Sequence, residues 1–498
     1  MGKIKRITIL FSILCLFTGL YGQEGHPSYE PLFLPESVFE ESDQNQADIS
    51  YTADEIFKTG LLFSEVKEGS ESWNRCIKKF KVIKAYAKSE EMMILTEEER
   101  GKELLKFLYR DYLKAYELNQ TKIDLALETG VYNCVSSAVL YLAAAKAAGL
   151  DVRGQRTTQH AFCSIYVAAQ GGKPGQLKKI DVETTNPYGF NPGSKEEIEH
   201  ESQIKRYYVV PKKYYSNRTE VSDGVFTGLI AGNLTSEYIK TGDYKKALPL
   251  GAARWEIVRN EPAKATASVR HEFDILAANY VNLLPDSAAA YSSTLDWYSS
   301  FIERWGNNTF LQKNLDTSFV NLMVLCNREG NYELAETSLK KYQPKLSKAQ
   351  IAKSEEIITD IIVTGATTGL SPEQQIEKVT ELLDSEELAA EPRQKRARLH
   401  FESFWLEALN AYMNSRDYEA GYAAAGRALD QLPESTKIKN MYNGFYNNAI
   451  AIIHNNFARK ANAGDYSAAL EILEEGLKKF PENKTLKKDL TDLQKIAF

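Results

Sequence analysis

The chain has 498 residues, with 61 Lys and Arg against 67 Asp and Glu, so its formal net charge is −6. This acidic balance argues against a nucleic-acid-binding protein. Five cysteines scattered over such a length exclude a disulfide-stabilised scaffold, and the length leaves room for two domains.

The N-terminal segment has the parts of a secretory signal peptide. Three cations open the chain, an apolar run follows over residues 7–20, and the small residue Gly22 comes after it. We predict a signal peptide over 1–22 and an exported protein, periplasmic or extracellular. Leu14 precedes Cys15 where a lipoprotein cleavage site has a small residue, which argues against a lipid anchor. Since no later stretch approaches the ~20 apolar residues that a spanning helix needs, we predict no transmembrane segment.

A tether and several helices follow the signal peptide. Residues 23–50 are polar and acidic, with three prolines and little periodicity, which predicts a flexible, exposed tether. Apolar residues then recur at helical spacing in three segments, which we predict as helices over 53–67, 72–88 and 96–118.

A cysteine stands at the start of the next helix, which is rich in alanine. Asn133, a residue type favoured at N-caps, precedes Cys134, and helical spacing continues from Val135 until Gly149 ends it. We therefore expect Cys134 in the first turn, where unpaired backbone N–H groups and the helix dipole favour an anion. Because the thiolate is the reactive form of cysteine, this position suits a nucleophile.

Beyond this helix the pattern changes to the alternation of strands. The first strand places His160 on one face, and a glycine-rich turn at 171–175 leads to a second, antiparallel strand from 177 to about 184. Asp181 and Glu183 share the face of the second strand that returns alongside the histidine. A register shift of two residues exchanges these carboxylates without changing the face, so either can orient the imidazole.

The remaining thiols and the absence of further ligands limit other chemistry. Cys163 lies an odd number of residues from His160 and is predicted to point into the core. Cys76 and Cys326 lie in helical patterns and are predicted to be buried. Since Cys134 and His160 lack the further ligands that a metal needs, we predict neither a metal nor a cofactor.

After about Asp223 helical hairpins continue to the C-terminus. Four of their turns place a tyrosine after Asp or Asn, with a small residue three positions later that allows two helices to approach closely; the tyrosines are Tyr244, Tyr332, Tyr418 and Tyr466. The pattern resembles the tetratricopeptide repeat, although its intervals are not multiples of about 34 residues. We predict an irregular, all-α tetratricopeptide-like solenoid over 223–498 that binds a protein or peptide.

Residues 130–193 carry four motifs in one order. They are the cysteine-headed helix ending in Ala-Ala-Gly-Leu, Val152-Arg153-Gly154, His160-Ala-Phe, and Ile180-Asp-Val-Glu-Thr-Thr185. These motifs resemble the transglutaminase-like superfamily of papain-type cysteine enzymes, and Glu-Thr-Thr resembles a bacterial subgroup that pairs this core with tetratricopeptide-like repeats. The resemblance implies an α+β transglutaminase-like, papain-like domain over 51–222. It makes Cys134 the nucleophile, His160 the base and Asp181 the orienting acid, with Glu183 as the alternate.

The resemblance also implies acyl chemistry. Cys134 would attack an amide or ester carbonyl to form a thioester, which water resolves in a peptidase or amidase and an amine resolves in an acyltransferase. The backbone N–H of Cys134 is one oxyanion donor, and Tyr132, Asn133 and Gln159 are candidates for the second. The substrate would be a protein or peptide of the cell envelope recruited by the repeats. The alternative is a catalytically inactive envelope scaffold whose repeats bind proteins.

Overall fold

The computed structural model describes residues 25–33, 50–169, 175–192, 217–283 and 286–497. The predicted signal peptide, including Cys15, lies outside these ranges, and export therefore stays a prediction. The chain forms two compact units, the first comprising Met1–Leu283 and Trp297–Leu311, the second Leu284–Asp296 and Gln312–Phe498.

The first unit begins with helices whose N-caps are formed by residue types typical of that position. Thr52 and Thr96 each accept a hydrogen bond from the backbone of a glutamate three residues later, whose side chain reaches back to the threonine N–H. The helices before the first long strand are α1 (Ala53–Phe63), α2 (Glu71–Ala87), α3 (Glu90–Met93), α4 (Glu97–Asp111), α5 (Ile123–Thr129) and α6 (Cys134–Ala147).

The helix predicted over 96–118 is shorter than expected. It ends at Asp111, and the N–H groups of Lys114 and Ala115 donate instead to the carbonyl of Gly130. A short parallel ladder results between β1 (Ala115–Tyr116) and β2 (Val131–Tyr132). Pairing with the residues just before α6 therefore replaces the last turns of the predicted helix.

A small antiparallel sheet follows α6. Its strands are β3 (Asp151–Arg156), β4 (Ala161–Ala168), β5 (Leu177–Val182) and β6 (Thr219–Val221), in the order β5-β4-β3-β6. The register of β4 and β5 pairs Ser164 with Asp181 and Cys163 with Val182. Cys163 is fully buried and its thiol donates to the carbonyl of Ala138 in α6, so it points into the core as predicted.

Helix α6 is the centre of the first unit. Every residue of this helix except Lys146 is buried, and α1, α2, α4 and α5 contact it together with strands β3 and β4. A helix that is apolar on all sides must be enclosed by other elements. Here most of the enclosing elements are helices.

The predicted fold class is therefore wrong. We expected an α+β transglutaminase-like, papain-like domain followed by a tetratricopeptide-like solenoid, but the described residues are mostly helical, with two small sheets. The alternation at 160–167 and 177–184 correctly indicated two strands. The prediction overestimated the share of the sheet in this domain. The surfaces that cover α6 come mainly from helices, and a helical pattern alone does not show what the helix packs against.

Helices continue the first unit after β6. They are α7 (Asp223–Thr227), α8 (Leu229–Thr241), α9 (Tyr244–Glu256) and α10 (Ala263–Val281), and α8, α9 and α10 pack in sequence order. Residues 25–33, within the segment predicted as an exposed tether, contact this unit. The indole N–H of Trp297 donates to the carbonyl of Pro27 at 2.8 Å, and the N–H of Leu32 donates to the carbonyl of Pro249 at 3.0 Å.

The boundary between the units falls within two helices, and the described part of the second unit consists of helices and the turns that join them. The helices are α11 (Ala288–Trp305), α12 (Thr309–Glu329), α13 (Tyr332–Tyr342), α14 (Lys348–Thr367), α15 (Pro372–Leu383), α16 (Glu391–Ser415), α17 (Tyr418–Gln431), α18 (Thr436–Asn462), α19 (Tyr466–Lys479) and α20 (Lys484–Ala497). No helix among the described residues is long and apolar enough to cross a membrane.

The four turn tyrosines each begin a helix, namely α9, α13, α17 and α19. The Asp or Asn before each tyrosine caps that helix through its side chain. The small residues that follow are at close helix contacts: a Cβ at Gly421 would lie 2.3 Å from the ring of Phe445. These turns thus set where helices start and how closely they pack.

Candidate active site

The cap of α6 positions the candidate nucleophile. The side-chain oxygen of Asn133 accepts from the N–H groups of Val135 and Ser136, and the Ser136 hydroxyl accepts from the N–H of Asn133. This capping box fixes Cys134 as the first residue of the helix, as predicted. Its own N–H is among those that no carbonyl of the helix can satisfy. Its thiol is on the edge of a cavity, and the residue is 8% exposed.

The candidate base lies beside the thiol. His160 precedes β4, and its carbonyl accepts from the N–H of Thr157 at 2.8 Å, which closes the turn from β3. The imidazole Nε2 lies 2.7 Å from Oε2 of Glu183, and the ring also hydrogen-bonds the Cys134 thiol. The imidazole therefore contacts both a carboxylate and the Cys134 thiol.

Strand register determines which carboxylate reaches the histidine. Asp181 stands opposite Ser164, whose hydroxyl donates to it at 2.7 Å, and it also forms an ion pair with Arg218. Ser164 is four residues along the strand from His160, or ~13 Å at the usual rise. Glu183, two residues nearer, is the acid that contacts the imidazole, and Asp181 is not brought to it.

Glu183 is held by its own neighbours. Its side chain is 1% exposed, and Oε1 accepts from both the N–H and the hydroxyl of Thr185, at 3.1 and 2.7 Å. Its N–H donates to the carbonyl of Gly189 at 2.7 Å. These hydrogen bonds fix the orientation of the buried carboxylate.

Three hydroxyl groups anchor the segment that carries Glu183. Ser137 in α6 contacts the hydroxyl of Thr184 at 2.9 Å, and Tyr109 donates to the carbonyl of Thr184 at 2.8 Å. Tyr132 donates to the carbonyl of Thr185 at 3.3 Å. The helix that presents the thiol and the strand end that presents the acid are thus joined directly, which fixes their separation.

Burial and charge act in opposite directions on His160. Burial alone lowers the pKa of the imidazole, but the charge of Glu183 and hydrogen bonds to Cys134 and Glu183 raise the pKa to about 10. The site therefore favours an imidazolium at neutral pH. An imidazole hydrogen-bonded to a thiol is the arrangement that a cysteine nucleophile requires.

The other described thiols have a different environment. Cys76, Cys163 and Cys326 are fully buried. Burial raises the pKa of Cys76 and of Cys326 to about 11, and raises that of Cys163 well above its usual range. All three are therefore in the neutral, unreactive form near pH 7, and they provide an internal reference for Cys134.

The candidate oxyanion donors separate into two groups. Tyr132 is fully buried with its hydroxyl at Tyr109 and Thr185, and the amide of Asn133 caps α6 and donates to the carbonyl of Leu118. Both have structural roles. Gln159 is on the exposed turn before His160 and lines the cavity. Asn133 also lines the cavity, but its amide is engaged at both ends, so the Cys134 N–H and Gln159 are the candidates that we retain.

The cavity beside the thiol has a volume of about 760 Å³, and four parts of the first unit supply most of its lining. These are the start of α6, the turn between β3 and β4, the residues just before α5, and one face of α8. Along α8 the lining residues recur at helical spacing: Gly232, Asn233, Ser236, Glu237 and Lys240. Arg156, Arg254 and Glu272 complete the charged part of the wall.

The residues of this cavity wall were not predicted from the sequence. Its polar face on α8 has the pattern of a solvated helix surface, and Arg254 lies in a turn-tyrosine helix without a motif of its own. The available signal was the pair of glycines at 228 and 232, four residues apart, which leaves one side of the helix without side chains. Within the described ranges, no group of three or more His, Cys, Asp or Glu is arranged to hold a metal ion.

Comparisons with known proteins assign this chain to no family. No family model matches the chain, and no curated protein matches it. One solved structure, the crystal structure of menin described as revealing the binding site for Mixed Lineage Leukemia (MLL) protein, aligns with 82% of this chain and 94% of its own, at 12% sequence identity. The TM-score is 0.32, and a likeness at that level supports no conclusion about fold or function.

Proposed function

We propose that Cys134 is the nucleophile of an enzyme that transfers or hydrolyses acyl groups, with His160 as its base and Glu183 as the residue that orients the base. The observation that supports this most strongly is the buried contact of 2.7 Å between His160 and Glu183, together with the hydrogen bond of the same imidazole to the Cys134 thiol and the cavity that His160 and Cys134 line. A nucleophile, a base and an orienting acid are the parts that such catalysis needs.

The proposed reaction begins with an imidazolium–thiolate pair. Glu183 contacts Nε2 of His160, and the same imidazole exchanges a proton with the Cys134 thiol. The thiolate attacks the carbonyl carbon of an amide, and the imidazolium gives its proton to the leaving amine as the C–N bond breaks. Water or a second amine then attacks the thioester, His160 takes its proton, and the acyl group leaves as a carboxylic acid or a new amide.

The developing oxyanion would be placed at the start of α6. The N–H of Cys134 can donate to it, and the helix dipole adds a favourable field. Gln159 is our candidate for the second donor because its turn borders the same cavity. Hydrolysis and transfer remain alternatives for the second half of the reaction.

We further propose that the substrate is a protein or peptide, that the helices following residue 222 help to recruit it, and that the enzyme works outside the cytoplasm. The polypeptide substrate is supported by a cavity large enough for several residues, one wall of which is the face of α8. Export is supported by the sequence pattern of residues 1–22.

The test is the pH dependence of iodoacetamide alkylation at each cysteine of the folded protein, resolved by peptide mass spectrometry. An ordinary thiol, with a pKa of about 8.5, is only about 1% ionised at pH 6.5. We therefore expect Cys134 to react up to about 100-fold faster at pH 6.5 than an ordinary thiol. In His160→Ala this advantage should be lost, whereas Cys76, Cys163 and Cys326 should stay unreactive.

A matched pair of carboxylate variants separates orientation from general charge. Glu183→Gln should reduce the rate at Cys134 at pH 6.5, whereas Asp181→Asn, which removes an acid from the same strand face, should leave it nearly unchanged. Slow alkylation that is indifferent to His160→Ala would contradict the enzyme and favour the alternative of a scaffold that uses this region only for structure.

A further inference from the structure

Two arginines in the cavity wall lie near the same glutamate. Arg254 projects from α9, and its side chain is only 6% exposed. Its Nη1 donates to Glu272, and its Nε is buried without a hydrogen-bond partner among the described residues. Arg156 places Nη1 4.0 Å from the same glutamate and donates through Nη2 to the hydroxyl of Ser268.

The carboxylate of Glu272 therefore lies beside two guanidinium groups. Each guanidinium carries five N–H donors, and Glu272 can neutralise only one of the two charges. A partly buried, uncompensated charge is costly unless a counter-ion pairs with it. The other charges on the wall do not supply one, because Glu237 pairs with Lys240 at 2.7 Å. The excess positive charge is therefore located at Arg254 and Arg156.

Helix α8 leaves space for the Arg254 guanidinium. A Cβ at Gly232 would lie 2.9 Å from Nη1 of Arg254, and one at Gly228 would lie 3.1 Å from its Cγ. Both contacts are tighter than ordinary side-chain packing. The absence of side chains at these two positions thus allows a buried arginine to line the cavity that Cys134 also borders.

We propose that Arg254 and Arg156 form a carboxylate-binding subsite of this cavity, so that the preferred substrate carries an anionic group close to the bond that Cys134 attacks. The inference rests on the proposed function and deepens it by naming the substrate class, an acidic peptide. The carboxylate is supplied by an Asp or Glu side chain or by a free C-terminus, and guanidinium pairs bind either through charge-assisted hydrogen bonds.

Three short peptides test the subsite by protecting Cys134 from iodoacetamide. Acetyl-Ala-Ala-Gln-Ala-amide is neutral, acetyl-Ala-Ala-Glu-Ala-amide carries an acidic side chain, and acetyl-Ala-Ala-Gln-Ala carries a free C-terminus. We expect at least one acidic peptide to protect at about a tenfold lower concentration than the neutral one. Which of the two does so identifies the source of the carboxylate. Equal protection by all three peptides overturns the subsite.

Variants assign the preference to the arginine. In Arg254→Met the advantage of the acidic peptide should fall to about onefold, and Arg254→Lys, which keeps the charge but not the planar fork, should retain part of it. Lys246→Met removes a cation from an exposed position of the same helix and should retain it fully. A preference that survives Arg254→Met also overturns the assignment. The comparison of peptides in the unaltered protein does not depend on any variant folding.

The two proposals fail separately in these experiments. If Cys134 alkylates rapidly below pH 8 but the peptides protect equally, the nucleophile stands and the subsite does not. If Cys134 alkylates slowly while acidic peptides still protect it, the subsite stands as a binding site and the catalytic proposal does not.

Discussion

Two regions of the molecule contain the same local chemistry in different surroundings. In the first unit His160 contacts Glu183 at 2.7 Å, and in the second unit His400 contacts Asp360 at 2.7 Å. Both side chains of the first pair are 1% exposed, whereas those of the second are 25% and 19% exposed. A histidine–carboxylate distance is therefore not by itself the mark of a site.

Their further partners separate the two pairs. His160 also hydrogen-bonds a cysteine at a helix N-terminus and borders a cavity. Asp360 also binds Arg396 through two hydrogen bonds, which makes the second pair part of a helix-to-helix ion cluster. Because the first pair is buried, loss of either side chain leaves its partner without a compensating contact. The adjacent thiol gives the imidazole a group with which it can exchange a proton.

The largest expected difference concerns stability. Removing one member of a buried pair costs ~3 kcal/mol or more, since the partner charge is left uncompensated. We expect Glu183→Gln to lower the free energy of unfolding by about 3 kcal/mol, and Asp360→Asn to lower it by about 1 kcal/mol because water screens its partners. Urea denaturation of both variants measures this. Equal losses would show that burial does not distinguish the two pairs.

Two glycines extend the comparison to packing. A Cβ at Gly189 would lie 2.0 Å from the backbone oxygen of Glu183, and one at Gly421 would lie 2.3 Å from the Phe445 ring. We expect Gly189→Ala and Gly421→Ala each to destabilise by about 2 kcal/mol through overpacking. Only Gly189→Ala should also slow alkylation of Cys134, because it displaces the acid. The alkylation rate in Gly421→Ala is the control, and a reduction there would contradict this explanation.

The pH dependence of stability has a definite sign. The pKa of His160 is raised from 6.5 to about 10 in the folded protein, chiefly by the charge of Glu183 acting against burial. The pair therefore contributes its full stability below pH 6.5, and the contribution is lost as the pH rises through about 10. The difference in unfolding free energy between the unaltered protein and Glu183→Gln should shrink between pH 6 and pH 10. A difference that grows over this interval would reverse the assigned direction.

Local features of the site could be predicted from the sequence because they depend on neighbouring residues. The start of α6 follows from Asn133 and the spacing after it, and the two strands follow from alternation and a glycine-rich turn. The choice between Asp181 and Glu183 could not be made. Both side chains are on one face, and the register that separates them is set by long-range pairing, including hydrogen bonds from the residues around Gly189 to β5.

Neither the fold class nor the cavity wall can be predicted from the periodicity of apolar residues along the sequence. An amphipathic helix pattern does not say which other element it covers, so the helices around α6 could not be counted as the dominant layer. The burial of Arg254 likewise depends on α8 lying against α9, with glycines at the contact. Polar residues that face a cavity and polar residues that face open solvent have the same pattern in a sequence.

A third pair has the most exposed histidine of the three. His454 contacts Asp489 at 2.6 Å, and these side chains are 43% and 13% exposed. We expect Asp489→Asn to lower the free energy of unfolding by only about 0.3 kcal/mol, because its histidine partner is 43% exposed and water screens the pair. Urea denaturation, with Asp360→Asn and Glu183→Gln measured alongside, tests whether the loss increases with burial across three contacts of nearly equal length. If Asp489→Asn costs as much as Glu183→Gln, contact distance rather than burial governs these pairs, and the special position of His160 would then rest on its thiol neighbour alone.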